Sequence, residues 1–238
     1  MKRARAPKPG VDRGNVVAPR GAASVPPLSK ASSLSKASSR REAGAAAKRQ
    51  AILDAALDEF AARGFAAARI DDVAARAGVG KGTIYLYFAD KEELFKELVR
   101  TSLVPIVSSL TLPSGGDVSV RAVLEAFVDL LVREVFNTRR GDIIRLVISE
   151  GRRFPAIAEF QYREVISRGI AAMQALIRYG IARGEIRNGQ LEEFPQIVIA
   201  PALVGLLWQG MFGRFAPLDV EMMLRAHIDL IVGQGRPA

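Results

Sequence analysis

Apolar residues recur at helical spacing along almost the whole chain after residue 47. In the first helical stretch they return at intervals of three and four, which is the stripe of an amphipathic helix: Ile52, Leu53, Ala56, Leu57 and Phe60. A second stripe covers residues 70–77, glycines interrupt it at 78 and 80, and Ile84 and Phe88 restart it. Asp90, followed by Glu93, predicts a capping box that opens a fourth helix.

The second half of the chain repeats this pattern in longer segments. Helical stripes or apolar runs occupy residues 120–135, 143–148, 162–177, 194–213 and 220–232. No long alternation of Val and Ile bounded by turns occurs, so no sheet is expected. The pattern predicts an all-α protein with a tail at 1–47, an N-terminal three-helix domain at 48–95 and a helical bundle at 96–233.

Positive charge is concentrated at the start of the chain. The 238 residues carry a net charge of +9, yet residues 1–49 alone hold twelve Lys and Arg against two Asp and Glu, and the remainder is nearly neutral. Residues 1–47 have few large apolar side chains, so we expect a disordered basic tail. Either it is a solvated arm or an extension from an upstream start site, or it adds non-specific attraction to phosphates.

The composition points away from most enzymes. The chain has no Cys and a single His, which excludes disulfides, thiolate metal sites and multi-histidine metal centres and leaves little for a catalytic triad. We therefore expect no catalytic residue, no metal site and no cofactor.

Residues 64–95 carry the clearest motif. Two short amphipathic helices joined by a glycine-containing turn describe a helix-turn-helix, whose second helix lies in the major groove of DNA. Because Ile84 and Phe88 must face the core, the opposite face turns outward, with Tyr87 at its edge. We predict that this face and its neighbours contact DNA through Arg69, Lys81, Gly82, Thr83, Tyr85, Leu86, Tyr87 and Lys91.

These residues resemble the TetR/AcrR family of bacterial transcriptional regulators. The matching positions are Ala74, Ala77-Gly78-Val79, Lys81-Gly82-Thr83-Ile84-Tyr85, Tyr87-Phe88, Lys91 and Leu94-Phe95, within about residues 49–98. The resemblance implies an N-terminal three-helix DNA-binding domain, a fourth helix that links it to a ligand-binding bundle, and a dimer built on the last two long helices.

One position departs from the family pattern. Arg69 stands where the family usually has a Thr or Ser helix cap, and an arginine side chain cannot accept a backbone hydrogen bond. Asp71 and Asp72 partly offset the missing cap through the helix dipole. We hypothesise that Arg69 contacts a phosphate instead.

The bundle supplies the candidates for ligand binding and dimerisation. Residues 194–213 have no charge and the length of a membrane span, but prolines, glutamines and glycines favour a helix buried between subunits. The predicted dimer interface is Phe194, Val198, Ala202, Gly205, Gln209, Phe212, Met223, His227 and Leu230. The predicted lining of a ligand pocket is Phe127, Leu131, Phe160, Tyr162, Met173 and Trp208.

Together these features predict a cytoplasmic, ligand-responsive regulator, more specifically a repressor. It would bind a palindromic operator in double-stranded DNA as a homodimer and be released by an apolar or amphipathic small molecule. It would not associate with a membrane. Two alternatives stay open: a constitutive DNA-binding protein without an effector, and an all-helical enzyme.

Overall fold

The computed structural model describes residues 28–111 and 118–233, and every regular element in those ranges is a helix, as predicted. The helices are α1 (Leu28–Ala67), α2 (Ile70–Ala77), α3 (Lys81–Tyr87), α4 (Lys91–Ser108), α5 (Val120–Leu131), α6 (Arg140–Glu150), α7 (Pro155–Gln161), α8 (Ser167–Ala182), α9 (Gln190–Glu193), α10 (Gln196–Met211) and α11 (Val220–Val232). Single π-helical turns at Val132–Phe136 and Tyr162–Ile166 follow α5 and α7.

Part of the segment predicted as a tail is described as helix. Residues 1–27 lie outside the described ranges, whereas residues 28–47 belong to α1. Between 28 and 47 the chain has no Pro and one Gly, and it is rich in Ala, Lys, Arg and Ser, a composition that permits a helix without a buried face. Within the described residues, 28–44 belong to one unit and those from Ala45 onward to a second.

The second unit begins with three helices around an aromatic core. From Ile52 to Phe60 the apolar stripe of α1 is buried, and it packs with Ile84 of α3, with Phe88 just after α3 and with the first turns of α4. Phe60, Phe65 and Phe95 meet with ring centroids 5.4–5.6 Å apart. This packing fixes the positions of the short helices α2 and α3, which are too short to be stable alone.

Helix α4 connects this core to the bundle. It begins as predicted, because the Asp90 side chain accepts a hydrogen bond from the Glu93 N–H at 2.8 Å. It continues through Pro105 to Ser108, so the predicted domain boundary at residue 95 falls inside one continuous helix. The buried apolar residues likewise form one cluster that runs from α1 to α11.

The bundle consists of α5–α8 with α10 and α11. Ser119 caps α5 by accepting the Ala122 N–H at 3.2 Å, and Asp219 caps α11 by accepting the Met222 N–H at 2.9 Å. Helix α11 packs between α5 and α10, and α4 packs against α6, α7 and α8. Among the described residues, no helix is long and apolar enough to cross a membrane, and the uncharged α10 has only 16 residues.

Candidate nucleic-acid interface and cavity

A tight glycine turn joins α2 to α3. Gly78 adopts the left-handed conformation at φ 66°, and its N–H caps α2 by donating to main-chain carbonyls of its last turn. Val79 N–H reaches back to Ala74 O at 3.0 Å. A side chain at Gly78 would meet no atom within 4 Å, so the turn requires glycine for its backbone conformation and not for space. The result is a compact helix-turn-helix.

Helix α3 is anchored by one face and exposed on the other. Ile84 is fully buried and Phe88 nearly so, while Tyr85 is 47% and Leu86 83% exposed. This confirms the predicted orientation of the helix, with Tyr87 half-buried at its edge. Leu86 therefore contributes little to the core of the free chain, and its predicted contact with DNA stays a prediction.

Lys81 lies at the first turn of α3 and pairs with α2. Its Nζ is 2.9 Å from Asp71 Oδ1 and 3.0 Å from Asp71 Oδ2. The hydrogen bond and the charge of Asp71 raise the pKa of Lys81. Lys81 is therefore charged at neutral pH, and its exposed position leaves it accessible to a phosphate.

Arg69 occupies the N-cap position of α2 with an extended backbone and makes no side-chain cap hydrogen bond. The structure therefore confirms that α2 has no side-chain cap at its N-terminus, as the sequence predicts. The side chain is exposed next to the helix-turn-helix. Its contact with a phosphate stays a prediction.

Lys91 has structural partners that the sequence did not reveal. Its Nζ donates hydrogen bonds to Ala66 O at 3.0 Å and Ala68 O at 3.1 Å, and it lies 4.8 Å from the ring centroid of Phe65. Burial lowers the pKa of Lys91, and the Glu150 carboxylate acts in the opposite direction. Lys91 thus braces the connection between α1 and α2, and its predicted phosphate contact would compete with these hydrogen bonds.

A buried carboxylate beneath the helix-turn-helix was missed by sequence reasoning. Glu59 of α1 is 1% exposed and forms ion pairs with Arg63 at 3.0 Å and Arg76 at 3.6 Å. The Arg76 contact ties α2 to α1. The i, i+4 spacing of Glu59 and Arg63 was the available signal, but such pairs are usually solvent-exposed.

The bundle encloses a small apolar cavity of about 20 Å³ between α5, α8, α10 and α11. Of the predicted pocket residues, Phe127, Leu131 and Met173 line it. A cavity of this size holds about one water molecule. An effector larger than water would therefore have to displace the surrounding helices.

The other three predicted pocket residues lie elsewhere. The Phe160 ring packs under the Arg100 guanidinium at 5.1 Å, Tyr162 is 57% exposed, and Trp208 donates from Nε1 to Ala216 O at 2.8 Å. Their aromatic character suggested a pocket. Tyr162 and Trp208 are exposed instead, and the Phe160 ring contacts cationic side chains of α4.

The apolar residues that α10 and α11 expose are only partly those predicted for the dimer interface. Ala202 and Gly205 face α11 inside the subunit, where a side chain at Gly205 would lie 2.8 Å from Val220 Cγ1. Val198 lines the internal cavity, as does His227. Phe194, Gln209, Phe212 and Leu230 are exposed as expected, and Met223 is half-buried.

The remaining exposed apolar residues complete this surface. An open groove of about 450 Å³ lies on it, with Pro201, Val204, His227 and Leu230 among its walls. The exposed set is Ile197, Leu203, Val204, Leu207, Met211, Met222 and Leu230. Large contiguous apolar surfaces of this kind mark interaction sites in water-soluble proteins.

Comparison with known proteins defines the family. Residues 52–98 match the model of bacterial regulatory proteins of the tetR family, and residues 116–227 match the tetracyclin repressor-like C-terminal domain. The chain belongs to the tetR family. Helices α2 and α3 are therefore the DNA-binding helix-turn-helix of a tetR-family transcriptional regulator.

Individual relatives of this tetR-family chain are distant. The transcriptional regulator SrpR of Pseudomonas putida is 25% identical over 163 residues, which cover 68% of this chain and 75% of SrpR. The SmeT–triclosan complex has a TM-score of 0.68 at 19% identity and aligns with 81% of this chain and 95% of its own. FadR from Bacillus subtilis in complex with stearoyl-CoA has a TM-score of 0.63 at 19% identity, over 78% and 98% of the two chains.

Proposed function

We propose that the chain is a cytoplasmic homodimeric repressor that binds a palindromic operator and is released by a small-molecule effector. The observation that carries the proposal is the exposed face of α3, where Tyr85 and Leu86 point outward from a helix anchored by Ile84. Seven residues of α3 offer too few contacts for specific affinity. Two such helices about 34 Å apart would read successive major-groove faces, which requires a two-fold dimer.

The apolar surface of α10 and α11 supports the homodimer. A stable dimer interface needs roughly 800 Å² per subunit with an apolar centre. Exposed Val204, Leu207 and Met211 of α10 and Leu230 of α11 provide such a centre. The walls of the groove between the two helices are almost entirely apolar, so burial against a second copy leaves few polar groups without partners.

An apolar or amphipathic effector fits the walls of the internal cavity. They are aliphatic or aromatic except for His227. Related structures hold triclosan, which is apolar, in one case and stearoyl-CoA, which joins an apolar acyl chain to a charged coenzyme, in the other. Because the cavity now has room for about one water molecule, the effector must favour an expanded bundle, and this preference is the source of coupling to DNA, typically about 1–3 kcal/mol.

The cavity size also favours a second candidate, a constitutive DNA-binding protein without an effector. At about 20 Å³, the cavity between α5, α8, α10 and α11 is far smaller than a typical ligand site. Thermal denaturation against a panel of apolar and amphipathic compounds separates the two candidates. A regulator gains melting temperature with at least one compound and loses operator affinity with the same compound, whereas a constitutive protein does neither.

Replacement of Tyr85 tests the DNA-binding role. Tyr85→Ala should weaken binding to an operator found by footprinting upstream of the chain's own gene, by about 1–3 kcal/mol per subunit, in fluorescence anisotropy. The free energy of unfolding should stay within about 0.5 kcal/mol of the wild-type value, because Tyr85 is half exposed.

Tyr162→Ala is the matched control, since it removes an exposed tyrosine from the bundle and should leave operator affinity unchanged. If Tyr85→Ala binds DNA as well as this control does, α3 is not the recognition helix.

A further inference from the structure

The connection between α1 and α2 contains a break in the helical backbone. Gly64 adopts φ 73° and ψ 166°, which lie outside the helical region. The next N–H, that of Phe65, donates to Glu150 Oε1 at 3.3 Å. Glu150 is the last residue of α6, so the bundle contacts the DNA-binding domain at the residue where its first helix breaks.

The Glu150 carboxylate is closely fitted to this break. A side chain at Gly64 would lie 2.6 Å from Glu150 Oε1, so glycine makes room for the carboxylate. The second oxygen, Oε2, is buried without a hydrogen-bond partner. A buried acceptor without a donor costs stability. We therefore expect that the contact orients Phe65 and contributes little to the stability of the fold.

An aromatic contact lies beside the carboxylate. Phe154, the residue before α7, meets the Phe65 ring edge-on with centroids 4.7 Å apart. Phe65 in turn packs on Phe60 and Phe95 in the core of the DNA-binding domain. Glu150 and Phe154, which we call the α6–α7 clasp, therefore hold Phe65 through both its backbone and its ring.

Helix α6 also contacts α10, at a residue outside the lining of the cavity. Arg145 Nη1 donates to Leu206 O of α10 at 3.2 Å, and a side chain at Gly141 would lie 3.0 Å from Leu206 Cδ1. Helix α10 forms one wall of the internal cavity. Helix α6 thus lies in contact both with α10, which lines the cavity through other residues, and with the break at Gly64.

We propose that the α6–α7 clasp is the contact through which the bundle sets the orientation of the helix-turn-helix, with Glu150 as its positioning residue and Arg145 as its connection to α10. This inference rests on the proposed function, because it specifies how that function is regulated. A displacement of α10 moves α6 through Arg145, and Glu150 passes the movement to Phe65 and α2. Movement of α10 thereby changes the α1–α2 connection without any ligand contact in the DNA-binding domain.

Hydrogen exchange on the free, full-length protein tests the clasp without DNA or effector. Glu150→Met removes the acceptor at similar side-chain length, and we expect amide exchange at residues 64–68 to accelerate about two- to thirtyfold while the melting temperature is unchanged or higher. Glu150→Gln keeps an Oε1 acceptor and should restore slow exchange. Glu159→Met, at an exposed position of α7 paired with Arg163, is the matched control and should leave exchange unchanged.

A double-mutant cycle tests the connection to α10. Arg145→Met should accelerate exchange at residues 64–68 although it does not touch them, and it should add nothing when Glu150 is already Met. Additive effects, or no effect of Arg145→Met on these residues, overturn the proposal. If Glu150→Met does not fold, Phe154→Leu weakens the same clasp and is measured in the same way.

Operator affinity separates this proposal from the function on which it rests. In Glu150→Met it should fall by about two- to thirtyfold with unchanged stability. Absence of operator binding by the wild-type chain contradicts the proposed function and leaves the exchange results to be judged independently. Normal binding by wild type with unchanged exchange in Glu150→Met contradicts the clasp alone.

Discussion

Individual side chains of the helix-turn-helix divide into those available to DNA and those that hold the domain together. Lys81 and Lys91 were both predicted to contact phosphates, yet they have different surroundings. Lys81 is exposed and pairs with the side chain of Asp71, whereas Lys91 donates to two main-chain carbonyls. Charge alone does not distinguish these roles; the partners of each ammonium group do.

This difference predicts unequal effects of the two lysines. Lys81→Ala should weaken binding to all DNA sequences and reduce the dependence of log K on log salt by about one unit, without loss of stability. Lys91→Ala should in addition lower the free energy of unfolding by about 1–3 kcal/mol, because the carbonyls of Ala66 and Ala68 lose their donor.

Salt titrations by fluorescence anisotropy and urea denaturation measure the two effects. Lys96→Ala is the stability control, because the partners given for Lys96 are side chains: Glu92 and Glu93 on its own helix and the Phe160 ring at 6.0 Å. Equal unfolding free energies for Lys81→Ala and Lys91→Ala would show that Lys91 does not brace the α1–α2 connection.

The features of the interface that could be predicted from the sequence are those set by residues only a few positions apart. Ile84 and Phe88 are four residues apart, so they had to share a face, and the opposite face had to be exposed. The Asp90 cap was predictable for the same reason. Glu150 was not, because its contact with Phe65 joins positions 85 residues apart and depends on how α6 packs.

At the scale of elements, α10 shows why an amphipathic pattern is needed to predict orientation. It is apolar on all sides, so its sequence contains no stripe to identify the inner face. Small residues were taken as signs of contact with a second subunit, but Ala202 and Gly205 bring α10 close to α11 of the same chain. The exposed face is the one that carries Val204 and Leu207.

A proline within α10 explains the contact of the only histidine. Pro201 lacks an N–H, so the Ile197 carbonyl four residues earlier has no helical donor. His227 of α11 takes that place, with Nε2 3.0 Å from Ile197 O. The carbonyl accepts, so Nε2 carries the proton.

This arrangement predicts a coupling between Pro201 and His227. His227→Ala should cost about 1 kcal/mol more in the wild-type background than in Pro201→Ala, where residue 201 regains an N–H for Ile197 O. Urea denaturation of the four proteins measures the difference. Pro105→Ala, a proline within α4, is the control background and should show no coupling to His227→Ala. Equal costs in all backgrounds would mean that the contact with Ile197 contributes nothing.

A carboxylate contact at the start of α5 predicts that the free energy of unfolding depends on pH. Glu185 Oε2 accepts the Val120 N–H at 2.6 Å, at the first residue of the helix. Burial raises the pKa of Glu185, but hydrogen bonds from Arg183 and Val120 outweigh it and hold the pKa below the ordinary 4.5. A lowered pKa in the folded state stabilises the protein above pH 4.5, and this contribution is lost as pH falls through the folded value.

Glu185→Gln should therefore lower the free energy of unfolding at pH 7 and make it less dependent on pH below 4.5. Urea denaturation from pH 3 to pH 7 checks both effects, with Glu193→Gln at an exposed position of α9 as the control. A variant whose stability falls with acid as steeply as that of wild type would exclude Glu185 as the responsible group.

At the scale of the whole molecule, charge and DNA recognition are on different segments. Residues 1–44 contain ten Lys and Arg against two Asp and Glu, so they carry +8 of the chain's net +9. The helix-turn-helix lies in the second unit, which begins at Ala45. Sequence preference and general attraction to phosphates should therefore be separable by deletion.

Removal of residues 1–44 should leave the preference for operator over random DNA unchanged within about threefold. It should weaken binding to both and reduce the dependence on salt, because each lost phosphate contact lowers the slope by about 0.9. Anisotropy titrations with operator and scrambled duplexes at several salt concentrations measure both quantities. The double variant Arg40→Gln and Arg41→Gln removes two exposed charges of α1 and should give a smaller change in the same direction. A loss of operator preference on deletion would mean that the N-terminal segment reads bases, since the loss of phosphate contacts weakens binding to all DNA sequences alike.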